Sequence, residues 1–277
     1  MTFEHVLVVG AGQMGRGIAQ VMAASGRRVS LHDAIPGATE RATAAMRKSL
    51  EKLVAKGEHV DPDAVVERVE PVGDLVEADL MVEAVVEDAA VKADIFARAD
   101  ETLPPDAILA SNTSSIPIAT LAAATGRPDR VIGMHFFNPV PVMSLVEVIR
   151  TPATSEETAR AVVDLARELG KTPAEANDFP GFVSNRILMP FINEAAYALQ
   201  DGVAEAEAID TIAKLGFKHP MGPLALADLI GLDTCVSIME VLRAGLEDAK
   251  YEPCPLLRRH VAAGRLGRKT GHGFYVY

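Results

Sequence analysis

Along the first part of the chain, short apolar runs alternate with longer stretches in which apolar residues recur every three or four positions. The runs cover 6–9, 29–31, 80–86, 108–110, 131–134 and 145–149, and the periodic stretches cover 14–24, 38–56, 91–101 and 118–124. Runs that are apolar at successive positions fit strands buried on both faces. Strands that alternate with helices close into a doubly wound, mostly parallel sheet. The texture changes near Asp178-Phe-Pro-Gly181. Beyond it the pattern is helical over about 182–200, 204–215, 223–246 and 255–263, with a closing strand expected at 274–277. The expectation is an α/β chain with an N-terminal domain over 1–178 and an all-α C-terminal domain over 179–277. In the first of these helices, Leu188, Phe191, Ile192, Ala195, Ala196 and Leu199 form an apolar stripe, read as core or as a helix–helix interface. A small helical domain with this much aliphatic surface is expected to pair with a second copy, giving a homodimer.

The first strand runs into Gly10-Ala-Gly-Gln-Met-Gly15, a G-x-G-x-x-G turn that opens a helix. Gly10 allows the tight turn, Gly12 lets backbone approach a pyrophosphate, and Gly15 permits close helix–strand contact. The helix N-terminus then faces the phosphates. Asp33 ends the second strand, where a carboxylate accepts ribose hydroxyls and repels the extra phosphate of NADP. The N-terminal domain is therefore expected to be of Rossmann type and to bind NAD. Arg27 and Arg28, close to Asp33 in sequence, leave room for some use of NADP.

The chain carries a net charge of −11, which argues against a nucleic-acid partner. No apolar stretch reaches the roughly 18 residues of a membrane span. The first strand starts too near Met1 for a leader peptide, and Cys235 and Cys254 are too few for a disulfide framework or a metal cluster. The expected location is the cytoplasm, with no metal site. Within 38–56, Arg41, Lys48, Lys52 and Lys56 fall in one sector of the helix, while Met46, Leu50, Leu53 and Val54 lie on another face. A cationic row beside the cofactor cleft of an acidic chain suits a phosphate-bearing substrate, although a solvated charged face is the simpler reading.

His135 ends one strand and Glu147 lies in the next. The connection 138–142 is short and holds two prolines, so an antiparallel neighbour brings Glu147 back beside His135. Oxidation of an alcohol needs a base for the hydroxyl proton, and histidine suits that task near neutral pH. A carboxylate on its other ring nitrogen fixes the tautomer. On spacing alone, a histidine among apolar residues is more often a core histidine.

The glycine turn, Glu83-Ala-Val-Val-Glu87, Ser111-Asn-Thr-Ser-Ser115, Met134-His-Phe-Phe-Asn-Pro-Val-Pro-Val-Met143 and Pro180-Gly-Phe-Val-Ser-Asn-Arg186 together resemble the 3-hydroxyacyl-CoA dehydrogenase family. So do His219-Pro-Met-Gly-Pro223, Gly231-Leu-Asp233 and Gly267-Arg-Lys-Thr-Gly-His-Gly-Phe-Tyr275, and the resemblance runs the length of the chain. It implies reversible, NAD-dependent oxidation of a (3S)-3-hydroxyacyl-CoA, of short chain, to the 3-ketoacyl-CoA. His135 would be the general acid–base and Glu147 its orienting partner, with Ser114 and Asn185 as the remaining catalytic positions. Cofactor contacts would fall on Gly10, Ala11, Gly12, Gln13, Met14, Gly15, Asp33, Glu87, Lys92, Ser114, Asn138 and Lys269. Coenzyme A contacts would fall on Ser49, Lys56 and Ser114. Without the resemblance, Glu87 and Lys92 read as a solvated pair near a helix start. The family commonly has lysine where this chain has Ser144. The rival readings are a dehydrogenase of a free hydroxy acid or sugar acid and, from another class, an idle NAD-binding protein.

Overall fold

The computed structural model describes residues 2–277. The chain forms two compact units that divide between Phe179 and Pro180. In the N-terminal unit, apolar runs and amphipathic stretches give β1 (His5–Val9), α1 (Gln13–Ala24), β2 (Arg28–His32), α2 (Ala38–Val54), α3 (Pro62–Val66), β3 (Val69–Val72), β4 (Leu80–Glu83) and α4 (Ala89–Thr102). There follow β5 (Ile108–Ser111), α5 (Ile118–Ala122), β6 (Val131–Phe136), β7 (Leu145–Arg150), α6 (Glu156–Glu168) and β8 (Thr172–Asn177). The eight strands form one sheet in the order β3-β2-β1-β4-β5-β6-β7-β8. All neighbours are parallel except β6 and β7. The inner strands β1, β4, β5 and β6 are almost wholly buried, which accounts for their unbroken apolar runs. Met22, Met46, Leu50 and Val162, from α1, α2 and α6, belong to one core cluster with the strand residues Val6, Val8, Leu31 and Val146.

The two strands that the apolar runs do not predict, β3 and β8, are the two edges of the sheet. Val-Glu-Pro-Val and Thr-Pro-Ala-Glu-Ala-Asn are mostly exposed. An edge strand is paired on one side only, so it tolerates proline and polar residues and gives no apolar run. The run at 80–86 yields a strand only as far as Glu83, after which the chain turns toward α4. Helix α6 is also absent from the sequence segmentation, though Ser155 caps it and its buried face is apolar.

The C-terminal unit consists of α7 (Ser184–Gln200), α8 (Ala206–Gly216), α9 (Pro223–Ile230), α10 (Leu232–Leu246) and α11 (Pro255–Ala262). The single helix expected over 223–246 is two, broken at Gly231, whose φ of 104° lies outside the helical region. The strand expected at 274–277 is not formed. The tail makes isolated bridges only and is held by carboxylates instead. Asp228, 1% exposed, accepts the N–H groups of Phe274 and Tyr275 and the Tyr277 hydroxyl. Asp210, 3% exposed, accepts the N–H groups of Leu224 and Ala225 at the start of α9 and the Tyr275 hydroxyl. Of the apolar stripe on α7, Ile192, Ala195 and Ala196 are buried and the other three are partly so. No helix among the described residues is long and apolar enough to cross a membrane.

Candidate active site

The carboxyl ends of β1, β4, β5 and β6 carry the groups of interest. At the first, Gly10 has a φ of 101°, and a methyl group at Gly15 would lie 1.8 Å from the Gly10 carbonyl oxygen. The turn and the helix thus touch in a way that only hydrogen at both Cα atoms allows. A methyl at Gly12 would meet nothing within 4 Å. Gly12 is the N-cap of α1, so the helix start has no side-chain cap on its first N–H groups. Asp33, just past β2, accepts the Ala11 N–H at 2.7 Å and the Ile35 N–H at 2.8 Å. Each oxygen keeps a further lone pair for a ribose hydroxyl. A glycine turn, an uncapped helix start and a carboxylate beside them fit a dinucleotide. Gln13 donates to Asn138 at 2.8 Å, tying this turn to the connection between β6 and β7.

At β4 and β5 a charged network lies beneath the surface. Glu83 and Lys92 are 0% and 1% exposed, and Lys92 Nζ lies 2.6 Å from Glu83 Oε1. Glu83 also accepts the Ser111 hydroxyl at 2.6 Å. Lys92 reaches Glu87 at 3.3 Å, and Glu87 in turn accepts Thr113 Oγ1 at 2.6 Å and the N–H groups of Ser114 at 2.9 Å and Ser115 at 3.0 Å. Burial alone would raise the Glu87 carboxyl. The Lys92 ammonium and the hydrogen bonds from Thr113, Ser114 and Ser115 outweigh it, so the group stays below the usual carboxylate range. Lys92 is thus a buried ion, not half of a solvated pair, and its charge organises the loop that carries Ser114. Asn112, in the same loop, accepts the Phe136 N–H at 2.8 Å and so joins it to β6.

Antiparallel pairing of β6 and β7 sets His135 directly opposite Glu147, and opposite residues project to one face. His135 Nδ1 lies 2.8 Å from Glu147 Oε2, with both side chains buried. The carboxylate is acceptor only, so Nδ1 carries the proton and Nε2 of the neutral ring is the basic nitrogen. Phe137 stands against the imidazole with 4.8 Å between ring centres. The connection after His135 is braced by Lys171, which the sequence patterns do not single out. Its ammonium donates to the carbonyls of Val140 at 2.7 Å and Met143 at 2.8 Å, and burial pulls it below the usual lysine range. Ser144 is exposed, and its carbonyl accepts the Thr172 N–H of β8.

Two family models match, the NAD binding domain of 3-hydroxyacyl-CoA dehydrogenase over residues 5–179 and its C-terminal domain over 181–277. The chain belongs to the 3-hydroxyacyl-CoA dehydrogenase family. It is 56% identical over 282 residues to a probable 3-hydroxybutyryl-CoA dehydrogenase of Bacillus subtilis, covering 100% of this chain and 98% of that protein. It is 51% identical over 279 residues to the 3-hydroxybutyryl-CoA dehydrogenase of Bradyrhizobium diazoefficiens, covering 99% of this chain and 95% of the other. The crystal structure of the (S)-3-hydroxybutyryl-CoA dehydrogenase from Ralstonia eutropha superposes with a TM-score of 0.95 at 47% identity, covering 100% of this chain and 99% of that one.

The other family positions fall as follows. Ser49 is half-buried on α2, and Lys48, Lys52 and Lys56 are exposed, Lys56 lying beyond the end of the helix. Val54 is 42% exposed and leaves the apolar face to Ala42, Met46 and Leu50. In the C-terminal unit, Asn185 is buried in the first turn of α7. Lys269 Nζ lies 2.7 Å from Asp233 Oδ2 there. Arg27 and Arg28 are not beside Asp33: they sit at the opposite end of β2, where Arg27 pairs with Glu168 and Arg28 meets the His5 ring.

Proposed function

We infer that the chain catalyses the reversible, NAD-dependent oxidation of a (3S)-3-hydroxyacyl-CoA, with 3-hydroxybutyryl-CoA the expected substrate. The observation that carries this reading is the buried His135–Glu147 pair, with Nδ1 committed to the carboxylate. Nε2 of His135 takes the substrate hydroxyl proton in oxidation and returns it in reduction. Glu147 holds the ring and stabilises the imidazolium that forms. NAD, when bound, accepts hydride from the carbon that bears the hydroxyl. The glycine turn and Asp33 hold the pyrophosphate and ribose, with Asn138 and Lys269 as further cofactor contacts. Glu87 sets the Ser114 loop, and Lys92 acts through Glu87. Ser114 and Asn185 hydrogen-bond the substrate oxygens, and Ser49 and Lys56 take the coenzyme A phosphates.

We further propose a homodimer formed through the C-terminal unit, because Val183, Ile187, Ile212, Leu215 and Phe217 are each at least 50% exposed. The two free, buried cysteines suit a reducing compartment such as the cytoplasm. The deciding experiment follows NADH absorbance with acetoacetyl-CoA, beside free acetoacetate and a His135→Ala variant. Turnover of the thioester alone, abolished by the substitution, is the expected result. Equal turnover of the free acid would overturn the CoA assignment, and an active variant would overturn the acid–base assignment.

A further inference from the structure

Beyond His135 the chain leaves β6 and crosses to β7 through residues 137–144, and this connection has little to rest on. Val142 and Met143 are 66% and 38% exposed, and Pro141 borders a pocket of about 380 Å³ together with Gln20, Leu53, Leu169 and Lys171. Within the connection, the Pro139 carbonyl accepts the N–H groups of Val142 and Met143, each at 2.9 Å, which closes a turn. Two contacts tie that turn to α1. Gln13 donates to Asn138 at 2.8 Å, and Val140 packs on the bare Cα of Gly17, where a methyl group would lie 2.8 Å from Val140 Cβ.

The tie on the other side is Lys171. It is 9% exposed, just before β8, and its ammonium donates to the Val140 carbonyl at 2.7 Å and the Met143 carbonyl at 2.8 Å. Among the described residues, no carboxylate lies within 4.0 Å of it. Lys92, also buried, pairs with Glu83 and Glu87 instead. A buried ammonium is costly unless its donors are used, and here both acceptors belong to one short turn. The charge of Lys171 therefore goes into holding that turn, through hydrogen bonds stronger than a neutral donor would make.

The turn stands between two parts of the proposed chemistry. It follows Phe137, whose ring lies against that of His135, and Asn138, which reaches the glycine turn. A shift of the turn would carry both residues with it, and a misplacement of about 1 Å costs up to about 100-fold in rate. We propose that Lys171 is a positioning residue for hydride transfer: by holding the 139–143 turn against α1, it keeps the cofactor and His135 at one spacing. The proposal rests on the reaction and cofactor reading above. Lys171 acts through Asn138 and Phe137 and takes no part in proton transfer.

The test uses the full chain with Lys171→Met, Lys171→Arg, Gly17→Ala and, as a stability control, Val162→Ala in the core beneath α6. Four quantities are read: kcat and KM with acetoacetyl-CoA, the isotope effect on kcat with NADH deuterated at the transferred hydrogen, NADH affinity by calorimetry, and stability in urea. Lys171→Met lowers kcat by about 10- to 100-fold, with little change in KM for the thioester. It raises the isotope effect, as hydride transfer becomes the slow step, and weakens NADH binding. Lys171→Arg keeps the charge and the donors and recovers part of kcat. Gly17→Ala presses on Val140 from α1 and gives a loss of the same kind. Combined with Lys171→Met, its effect is less than additive, because both act on one turn. Val162→Ala loses stability and keeps kcat. A Lys171→Met protein whose kcat and isotope effect match the wild type overturns the proposal, as does one whose loss of kcat is no greater than that of Val162→Ala. Should Lys171→Met not fold, an unaltered kcat in Gly17→Ala overturns it instead. A wild type that binds no NADH, or does not reduce the thioester, would overturn the reading on which the proposal rests.

Discussion

At the scale of single residues, the chemistry depends on where one proton is kept. Glu147 holds it on Nδ1 of His135 at 2.8 Å, and in the proposed reaction Nε2 is the atom that acts on the substrate. Glu147→Gln removes the charge but keeps the shape, and its amide can present either an oxygen or an N–H to the ring. Turnover of acetoacetyl-CoA is expected to fall by about 10²- to 10⁴-fold, the usual contribution of a positioned acid–base group. Substrate and NADH affinity should change far less, because the glutamate acts through the ring, and steady-state kinetics with a calorimetric binding measurement separate the two. The pairing of these residues was legible in the sequence, because a strand-end histidine, a short connection with two prolines and a following strand suggest an antiparallel neighbour. Spacing alone favours a core histidine, however, and only the family resemblance singles them out. Glu83 and Lys171 were not singled out. A buried ion is legible only once its partners are known, and the partners of Lys171 are the carbonyls of Val140 and Met143, which no sequence pattern marks.

At the scale of elements, the legible parts are those whose burial is complete. The inner strands announce themselves by apolar runs. The edge strands β3 and β8 do not, because half of their pairing and most of their packing are missing. The same contrast explains the tail, where two buried carboxylates hold residues 274–277 in place of a sheet ladder. Between β4, β5 and α4 lies the buried Lys92–Glu83 pair. Lys92→Met leaves Glu83 as an unpaired carboxylate, at a cost of about 3–5 kcal/mol in stability. Urea unfolding should register that loss, and adding Glu83→Gln to the same chain should recover part of it. If the double variant is no more stable than the single one, the loss comes from packing and not from stranded charge.

At the scale of the whole molecule, the exposed apolar residues of the C-terminal unit invite a second copy. Converting Ile187 or Leu215, 68% and 77% exposed, to glutamate should turn a dimer into a monomer by light scattering, with little loss of helix by circular dichroism. A wild-type chain that is already monomeric at micromolar concentration would sink the dimer. The clamp on the tail also bears on how the chain is made. Asp228 is synthesised forty-six residues before its first donor, Phe274, so on the ribosome its carboxylate waits in a helix without the partners that it has when buried. The N-terminal sheet needs no residue beyond Asn177 to complete its pairing and can close while the rest is still being translated. In the helical unit, the hydrogen bonds of residues 274–277 to Asp210 and Asp228 form only once those residues have emerged, which makes the order of synthesis part of the order of assembly.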